Sequence, residues 1–354
     1  MNINDLPDDC LILIFEQFFD LKQFPTLSKI CSRWRILVQE RLKKVTHLKY
    51  VSKLSELQTG WKNYTGKYVL TNKATFLERI KLSQVLPNVY SINLQNGSSG
   101  ILANLLGTGN SICILFINNE LNSQFIIDKN QLDEKIIPHL ESVEKLATNN
   151  DQLVKKYLKN HGHLKRLKKF GYRLIPVNMM HVISFAASLI NLELLYVVCD
   201  RTFEKGWIEN YIGPKFEKLE SLYYRSKSST CYATKFVDFC PNLRNFHLTF
   251  KNIIPMDECV KHYNLEKLSI LIQRAREVNI IYLARKFPNI RHLIITGAVT
   301  QSDLIEMIKL LPHLSNLSLS GCLTHHCKIT ALNEYFLSQN RKIDLKINRI
   351  DYKI

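Results

Sequence analysis

The sequence LRNFHL at residues 243–248 returns in altered form as LEKLSI at 265–270, IRHLII at 290–295 and LSNLSL at 314–319. Each copy places apolar residues at its first, fourth and sixth positions. Further copies share this pattern and begin at Val89, Ile112, Leu192 and Leu219, with looser ones at Leu140 and Leu164. Alternating apolar residues over so short a span predict one β-strand with one buried face in every copy.

A helix is expected before these strands. Ile280, Leu283, Ala284 and Phe287 stand at i, i+3, i+4 and i+7, the spacing of one helix face. Prolines end the helix at the same place in four copies, namely Pro87, Pro241, Pro288 and Pro312. The copies begin 22 to 28 residues apart, which is within the period of leucine-rich repeats. One helix and one strand cannot bury their apolar faces alone, so we expect the copies to stack into an α/β solenoid with its strands on the concave side.

The composition is that of a folded protein with excess positive charge. Its 354 residues are 46% hydrophobic and 22% charged, with 12 glycines and 10 prolines, which excludes disordered and collagen-like classes. A single core rarely serves so long a chain, which favours several domains or a repeat array. Lys and Arg number 48 against 31 Asp and Glu, and the net charge of +17 favours acidic partners such as nucleic acid or acidic protein surfaces.

The cysteines and the first apolar run bear on the compartment. The nine cysteines are odd in number and scattered through apolar segments, which favours a reducing environment. Asp5, Asp8 and Asp9 stand where a signal peptide would carry positive charges. No apolar run reaches the roughly 18 residues of a membrane-spanning helix. We therefore expect the protein in the cytoplasm, the nucleus or both, without a membrane partner.

Residues 1–44 read as a compact helical module. Pro7 suits a first helical position, and Asp8 and Asp9 complement the positive end of a helix expected to reach about Phe19. A second short helix is expected over 24–30 and a third over 32–42. So few residues bury too little surface to be stable alone, and the surplus apolar side chains predict a docking site for another protein. The alternative is that they pack only on the rest of this chain.

The module resembles an F-box, the helical domain that docks onto a Skp-type adaptor. The resemblance rests on an ordered set of residues: Leu6, Pro7, Asp8, Asp9, Ile14, Phe18, Leu21, Leu27, Ser28, Ile30, Cys31, Ser32, Trp34 and Leu37. Followed by the repeats, it is similar to the F-box and leucine-rich repeat class of substrate receptors. That class implies a three-helix F-box at 1–44 and a curved leucine-rich repeat horseshoe at 45–354. Leu314, Leu317, Leu319, Gly321 and Cys322 form the copy most similar to the cysteine-containing repeat of that class.

The resemblance also implies partners and contacts. The F-box would join the chain, through the adaptor, to the cullin and RING subunits of a ubiquitin ligase, while the repeats hold a protein substrate. The expected adaptor contacts are Leu6, Pro7, Leu11, Ile14, Phe15, Phe18, Leu21, Leu27, Ile30, Cys31 and Trp34. A receptor of this kind works by proximity, since it raises the local concentration of the reacting groups without a catalytic residue of its own.

Outward positions of the repeats are the candidate substrate contacts. The third, fifth and seventh residues of each copy face the concavity, and aromatic and Arg side chains dominate binding hot spots. These considerations nominate Arg166, Lys168, Tyr196, Tyr223, Arg225 and His247. The alternative for each position is a solvated strand residue without a ligand.

A basic stretch raises a second hypothesis. Eight basic residues without an intervening acid lie between 155 and 173: Lys155, Lys156, Lys159, Lys165, Arg166, Lys168, Lys169 and Arg173. They suit an acidic or phosphorylated substrate, or a nucleic acid, while the alternative is a solvated surface. The competing function is a basic repeat scaffold that binds nucleic acid or an acidic protein independently of any ligase, with nucleic acid the less favoured partner.

Catalytic and metal-binding motifs are not evident in the sequence. Cys322, His325, His326 and Cys327 cluster, but a closed zinc site usually draws a second ligand pair from elsewhere. The glycines between 97 and 109 lack the Lys and Ser or Thr of a phosphate-binding loop. No nucleophile elbow or ordered triad is present. We therefore expect neither an enzyme, nor a cofactor, nor a metal.

Overall fold

The computed structural model contains two compact units, Met1–Leu167 and Lys168–Ile354. The structure describes residues 3–51, 66–72, 74–77, 79–95, 99–107, 112–118, 136–148, 150–159, 166–172, 175–199, 211–227, 230–231, 233–253, 260–273, 280–297, 299–321, 329–339 and 342–348. The boundary expected after residue 44 separates helices from strands, but the compact units divide after Leu167. The helical module and the first strands therefore share one unit.

The first unit opens with a short 3₁₀-helix at Ile3–Asp5 and three α-helices: α1 (Asp8–Glu16), α2 (Gln23–Leu27) and α3 (Ser32–Lys43). Asp8 and Asp9 occupy the first turn of α1, as expected from the charge of a helix amino terminus. Helix α3 begins after Cys31, whose Sγ accepts a hydrogen bond from the Trp34 amide. Pro25 lies in the first turn of α2, where its missing N–H removes no helical hydrogen bond.

Helix α1 ends at Glu16, so the prediction of a helix to about Phe19 is wrong. The Leu70 amide donates to the Phe19 carbonyl and the Leu21 amide donates to the Leu70 carbonyl, both at 2.8 Å. Backbone groups of residues 19–21 therefore pair with a strand of the same unit instead of continuing the helix. Helix α2 likewise ends at Leu27, before the expected limit at residue 30.

The remainder of the first unit consists of short helices and one parallel sheet. The strands are β1 (His47–Tyr50), β2 (Tyr68–Thr71), β3 (Ser91–Gln95), β4 (Ile114–Asn118) and β5 (Lys145–Thr148). The helices are α4 (Ala74–Leu77), α5 (Leu82–Val85), α6 (Ser99–Leu106) and α7 (Asp151–Lys159), with a 3₁₀-helix at Ile137–Leu140. The order across the sheet is β2, β1, β3, β4, β5.

The second unit repeats this arrangement. Its strands are β6 (Lys169–Phe170), β7 (Val177–Asn178), β8 (Leu194–Cys199), β9 (Ser221–Ser226), β10 (Thr230–Cys231), β11 (Asn245–Phe250), β12 (Asn252–Ile253), β13 (Lys267–Ile272), β14 (His292–Thr296), β15 (Asn316–Ser320) and β16 (Asp344–Asn348). The helices are α8 (Met179–Ser184), α9 (Ala233–Val237), α10 (Ile281–Lys286), α11 (Gln301–Lys309) and α12 (Ile329–Ser338), with a 3₁₀-helix at Ala186–Ser188.

Every strand pair of the main sheet in this unit is parallel, and β10 pairs separately with β12. Phe246 of β11, for example, stands opposite Leu222 of β9 and Leu268 of β13, and all three are buried. The prediction of a mixed α/β fold with one strand in each regular copy is confirmed, and the structure adds that these strands are parallel.

The predicted first residue of each of the two looser copies is wrong by three positions. In β5 the buried series is Val143, Leu146 and Thr148, so that copy begins at Val143 and not at Leu140. The Val143 amide donates to the Leu140 carbonyl in the turn that precedes the strand. The copy predicted to begin at Leu164 begins at Leu167 instead. Leu167 and Phe170 are buried, and Phe170 pairs with Leu195, the fourth residue of the next copy. Both positions of this turn are apolar in most copies, which makes their order ambiguous in the sequence.

A ladder of asparagines stabilises the turns before the strands. The side-chain amide of Asn242 donates to the Glu217 carbonyl at 2.8 Å, and that of Asn264 to the Pro241 carbonyl at 3.0 Å. Asn289 donates likewise to the carbonyl of Tyr263 at 2.9 Å. Each asparagine directly precedes the first apolar residue of its copy. Prolines alone were predicted to mark this turn. The asparagines at the same position in three copies also indicate it.

The half-buried Asp238 and the buried His262 and Lys286 connect successive repeats on the helical side of the second unit. The Asp238 carboxylate accepts from His262 Nε2 at 2.9 Å and from Lys286 Nζ at 2.5 Å. The Lys286 side chain is only 1% exposed. An ammonium at this depth is costly without a partner, so Asp238 is required for the packing of α10.

We expect Asp238→Ala to lower the free energy of unfolding by about 3 kcal/mol, because it leaves the Lys286 ammonium buried and unpaired. Thermal and urea unfolding of the full chain would measure the loss. The double variant Asp238→Leu with Lys286→Met is the control, since it removes both charges and should recover most of the stability. A wild-type unfolding midpoint for Asp238→Ala would contradict the role given to this pair.

Candidate binding surfaces

Arg33 ties the start of the chain to α3. Its Nε donates to Asp8 Oδ1 at 2.7 Å, its Nη1 to the Asn4 carbonyl at 2.5 Å and its Nη2 to the Leu6 carbonyl at 2.6 Å. Trp34 Nε1 adds a hydrogen bond to Asn4 Oδ1 at 2.9 Å. These contacts hold the residues before α1 in one conformation beside α3. Arg33 was not among the residues nominated from the sequence.

Four of the expected adaptor contacts belong to the core of the helical module. Leu11, Phe15, Leu21 and Trp34 are all buried, and the rings of Phe15 and Trp34 pack edge to face with centroids 5.0 Å apart. Their side chains are not available to a partner in this structure. In this structure they support the surface of the module, and their direct contact with an adaptor stays a prediction.

The other expected contacts reach solvent. Pro7 and Ile30 are exposed, while partial exposure is shared by Leu6, Ile14, Phe18, Leu27 and Cys31. Two apolar side chains that were not nominated are exposed further, with Leu13 at 61% and Ile36 at 60%. Leu13 lies two residues from both Leu11 and Phe15 and therefore on the opposite side of α1. The module thus presents apolar side chains that its own unit does not cover.

A buried arginine joins the module to β2. The Arg41 side chain is fully buried, with its guanidinium 5.8 Å from the ring centroid of Phe24 and its Nη2 donating to the Tyr68 carbonyl at 3.3 Å. Burial lowers the pKa of Arg41, and the carboxylate of Glu16 opposes that change. One side of the module therefore packs on its own chain, while the exposed side chains lie elsewhere on its surface.

An apolar groove of about 460 Å³ also lies within the first unit. Phe24, Val38 and Leu42 line it from the module, and Phe76 and Val85 line it from α4 and α5. The groove lies where the module meets the first repeats.

Three aromatic rings form a stacked row on the solvent side of the main sheet in the second unit. The centroids of Tyr196 and Tyr223 are 4.0 Å apart with planes at 15°, and those of Tyr223 and His247 are 4.1 Å apart with planes at 4°. Tyr172 lies 6.0 Å from Tyr196 at the far end. The row, here called the aromatic row, lines a cleft of about 520 Å³ together with Arg225. Four of the six nominated substrate contacts thus lie together.

The open face is the side of the main sheet that bears the aromatic row, on strands β6, β8, β9, β11, β13, β14 and β15. It comprises three rows of paired positions: Lys169, Leu194, Ser221, Asn245, Lys267, His292 and Asn316; then Tyr196, Tyr223, His247, Ser269, Ile294 and Ser318; then Val198, Arg225, Thr249, Leu271, Thr296 and Ser320. Among these described positions three are Lys or Arg, two are His and none is Asp or Glu. A first acid appears only at Asp344 on β16, where Lys346 Nζ lies 3.4 Å away.

The acids lie instead on the edge where the strands begin. A second cleft of about 760 Å³ lies there. It is lined, in order along the edge, by Glu193, Glu220, Arg244, Glu266 and Arg291. This cleft is larger than the one beside the aromatic row, but its opposite charges largely offset each other, which leaves little preference for the sign of a ligand.

Lys168 belongs to this edge, so its assignment to the open face is wrong. Its carbonyl accepts from the amides of Glu193 and Leu194, the place that Glu193 itself takes in the next repeat. Lys169 pairs with Leu194 and faces outward in its stead. Arg166, exposed and still earlier in the chain, does not lie on a strand either. The predicted outward position of Lys168 is wrong because this copy begins at Leu167, three residues later than expected.

Several sequence-based expectations fall outside the described residues: Lys165, Arg173, Cys322, His325, His326 and Cys327. Within the described ranges, His, Cys, Asp and Glu side chains do not come together in a group of three able to hold a metal. A search of the same ranges finds no helix with the length and apolar character needed to cross a membrane.

Comparison with known families identifies an F-box domain at residues 3–46, which contains α1, α2 and α3 and ends before β1. F-box domains bind Skp-type adaptors. The resemblance of the helical module is thereby confirmed, whereas the leucine-rich repeat subtype stays a prediction. No curated protein matches the chain as a relative.

We expect Arg33→Ala to release the segment before α1, because it removes three hydrogen bonds. At about 0.5 kcal/mol for each bond at this partly exposed site, the total loss is about 1.4 kcal/mol. Amide hydrogen exchange of a peptide covering residues 3–10 should accelerate roughly tenfold, as a loss near 1.4 kcal/mol implies. Arg35→Ala, an exposed arginine on the same helix, is the matched control and should leave this exchange unchanged. Equal exchange in both variants would show that Arg33 does not order the segment.

Proposed function

We propose that this chain, whose residues 3–46 match an F-box domain, is the substrate-recognition subunit of a Skp-cullin-F-box ubiquitin ligase. The F-box would dock on a Skp-type adaptor and, through it, on the cullin and RING subunits. The family match is the observation that carries this proposal. The uncovered apolar side chains of the module support it, since such surfaces mark protein interaction sites.

The adaptor contact that we propose uses the exposed part of the nominated set. Pro7 and Ile30 would contribute with the partly exposed Leu6, Ile14, Phe18, Leu27 and Cys31. The buried Leu11, Phe15, Leu21 and Trp34 would hold these residues in place. Leu13 and Ile36 extend the same kind of surface and are added to the proposed contact.

The repeats, which we propose to be of the leucine-rich type, would hold a protein substrate on the open face. Parallel strands of this length give a broad surface on which a partner can contact several repeats at once. The basic, acid-free character of that face favours an acidic substrate, which long-range attraction would bring in faster. Such a receptor needs no catalytic group, because it acts by holding the substrate near an activated ubiquitin.

A second candidate is a basic scaffold that binds nucleic acid or an acidic protein independently of a ligase. The net charge of +17 is the observation that favours it. An affinity for RNA or DNA that falls steeply with salt, together with failure to bind an adaptor, would support this function over the first. Either function is consistent with our proposal that the protein works in the cytoplasm, the nucleus or both.

We expect Ile30→Asp to weaken binding to a Skp-type adaptor at least tenfold, because it places a charge in an apolar interface. Titration of purified adaptor against the full-length chain would measure the affinity. Ile212→Asp is the matched control, since Ile212 is 99% exposed in the second unit and the substitution is identical. Absence of adaptor binding by the unaltered chain would overturn the proposed function itself.

A further inference from the structure

The cleft beside the aromatic row differs in chemical character from the larger cleft at the edge of the sheet, which is lined by several acids. Its described lining residues include the guanidinium of Arg225, the imidazole of His247 and the hydroxyls of Tyr223 and Ser269, and none of them is acidic. Arg225 is exposed, and within the described part of the chain no carboxylate lies in ion-pair distance of its guanidinium. The cleft thus offers a cation whose charge a ligand could neutralise.

We propose that this cleft binds an acidic peptide segment in extended conformation, with a carboxylate on Arg225 and an apolar side chain between His247 and Leu271. The proposal rests on the proposed function, in which the open face holds a protein substrate, and it names the chemistry that the substrate must carry.

A carboxylate suits Arg225 better than a phosphate. A guanidinium matches a single carboxylate with two parallel hydrogen bonds, and the two unit charges cancel. A phosphate brings nearly two negative charges and is typically bound by a cluster of cations. Arg225 is the one cation other than histidine among the described residues that line the cleft.

The place for the apolar side chain follows from the sheet register. His247 stands opposite Ser269, and Thr249 stands opposite Leu271. The small Ser269 side chain follows His247 across the sheet and leaves a depression in the cleft that both residues line. Leu271, 38% exposed, borders the same depression on the next row. An apolar side chain seated there would cover both the imidazole and the leucine.

The distance between the two subsites sets the spacing of the ligand. Arg225 of β9 pairs with Thr249 of β11, which pairs with Leu271 of β13. Strands β9 and β13 are therefore separated by twice the distance between neighbouring strands. Two spacings amount to about 10 Å, and an extended peptide advances about 3.3 Å per residue. The acidic and apolar residues of the ligand should therefore stand about two or three positions apart.

Stacking within the aromatic row argues against a nucleic acid at this site. Single strands bind by stacking bases on open aromatic faces. Both faces of Tyr223 are occupied, by Tyr196 on one side and His247 on the other. The tyrosines present their edges to a ligand, which suits side chains and peptide groups more than bases.

Selection of unphosphorylated random twelve-residue peptides on the full-length protein would test the proposal without any ligase subunit. The expected result is enrichment of peptides with Asp or Glu two or three positions from Leu, Ile, Met or Phe. Arg225→Glu should lower the affinity of a synthetic enriched peptide at least tenfold, and Ser269→Trp should do so by filling the depression.

Arg244→Glu is the matched control, because Arg244 is equally exposed but lies on the edge where the strands begin. It should leave peptide affinity within twofold, and thermal unfolding would verify that all variants are folded. Enriched peptides without acids, affinity insensitive to Arg225→Glu, or binding confined to phosphopeptides or RNA would each overturn the proposal. Adaptor binding is measured separately, so failure of the F-box function and failure of this site are distinguishable.

Discussion

Backbone pairing between successive parallel strands is the constraint on which the candidate substrate surface depends. In the second unit the carbonyls before β6, β8, β9, β11, β13 and β14 each accept two amides from the next repeat, as the Glu220 carbonyl does from Arg244 and Asn245. Because side chains alternate along a strand, this pairing assigns every residue either to the buried side or to a row on the open face. A shift of one residue would bury Tyr223 and expose Leu222.

The same pairing separates charges by sign. Glu193, Glu220 and Glu266 occupy the position just before their strands, so they lie at the edge and not on the open face. Three residues later in their repeats come Tyr196, Tyr223 and Ser269. An acid-free face beside a mixed edge is therefore a product of register, and net charge alone could not have located it. The described lining of the cleft beside the aromatic row therefore includes Arg225 and no acid, while the charges lining the larger cleft nearly balance.

The helical module serves two purposes that compete for the same apolar residues. One side packs on β2 through the Leu21 and Leu70 backbone and the buried Arg41, which couples the F-box to the first strands. The other side leaves Leu13, Ile30 and Ile36 exposed. Had all apolar residues packed inward, the module would have no surface to offer an adaptor. Attachment to the strands on one side and exposed apolar side chains on the other suit a module that we propose to bind an adaptor.

The sequence by itself determined the repeat, the positions of the regular strands and the F-box. Apolar spacing states directly which residues of a strand are buried, and an ordered motif such as Leu6, Pro7 and Trp34 is local. Tertiary structure alone decided which apolar residues of the module are covered, how the looser copy near Leu167 aligns, and that Tyr196, Tyr223, His247 and Arg225 share one cleft. Those features depend on hydrogen bonds between residues more than 20 positions apart, and the spacing within one copy carries no information about them.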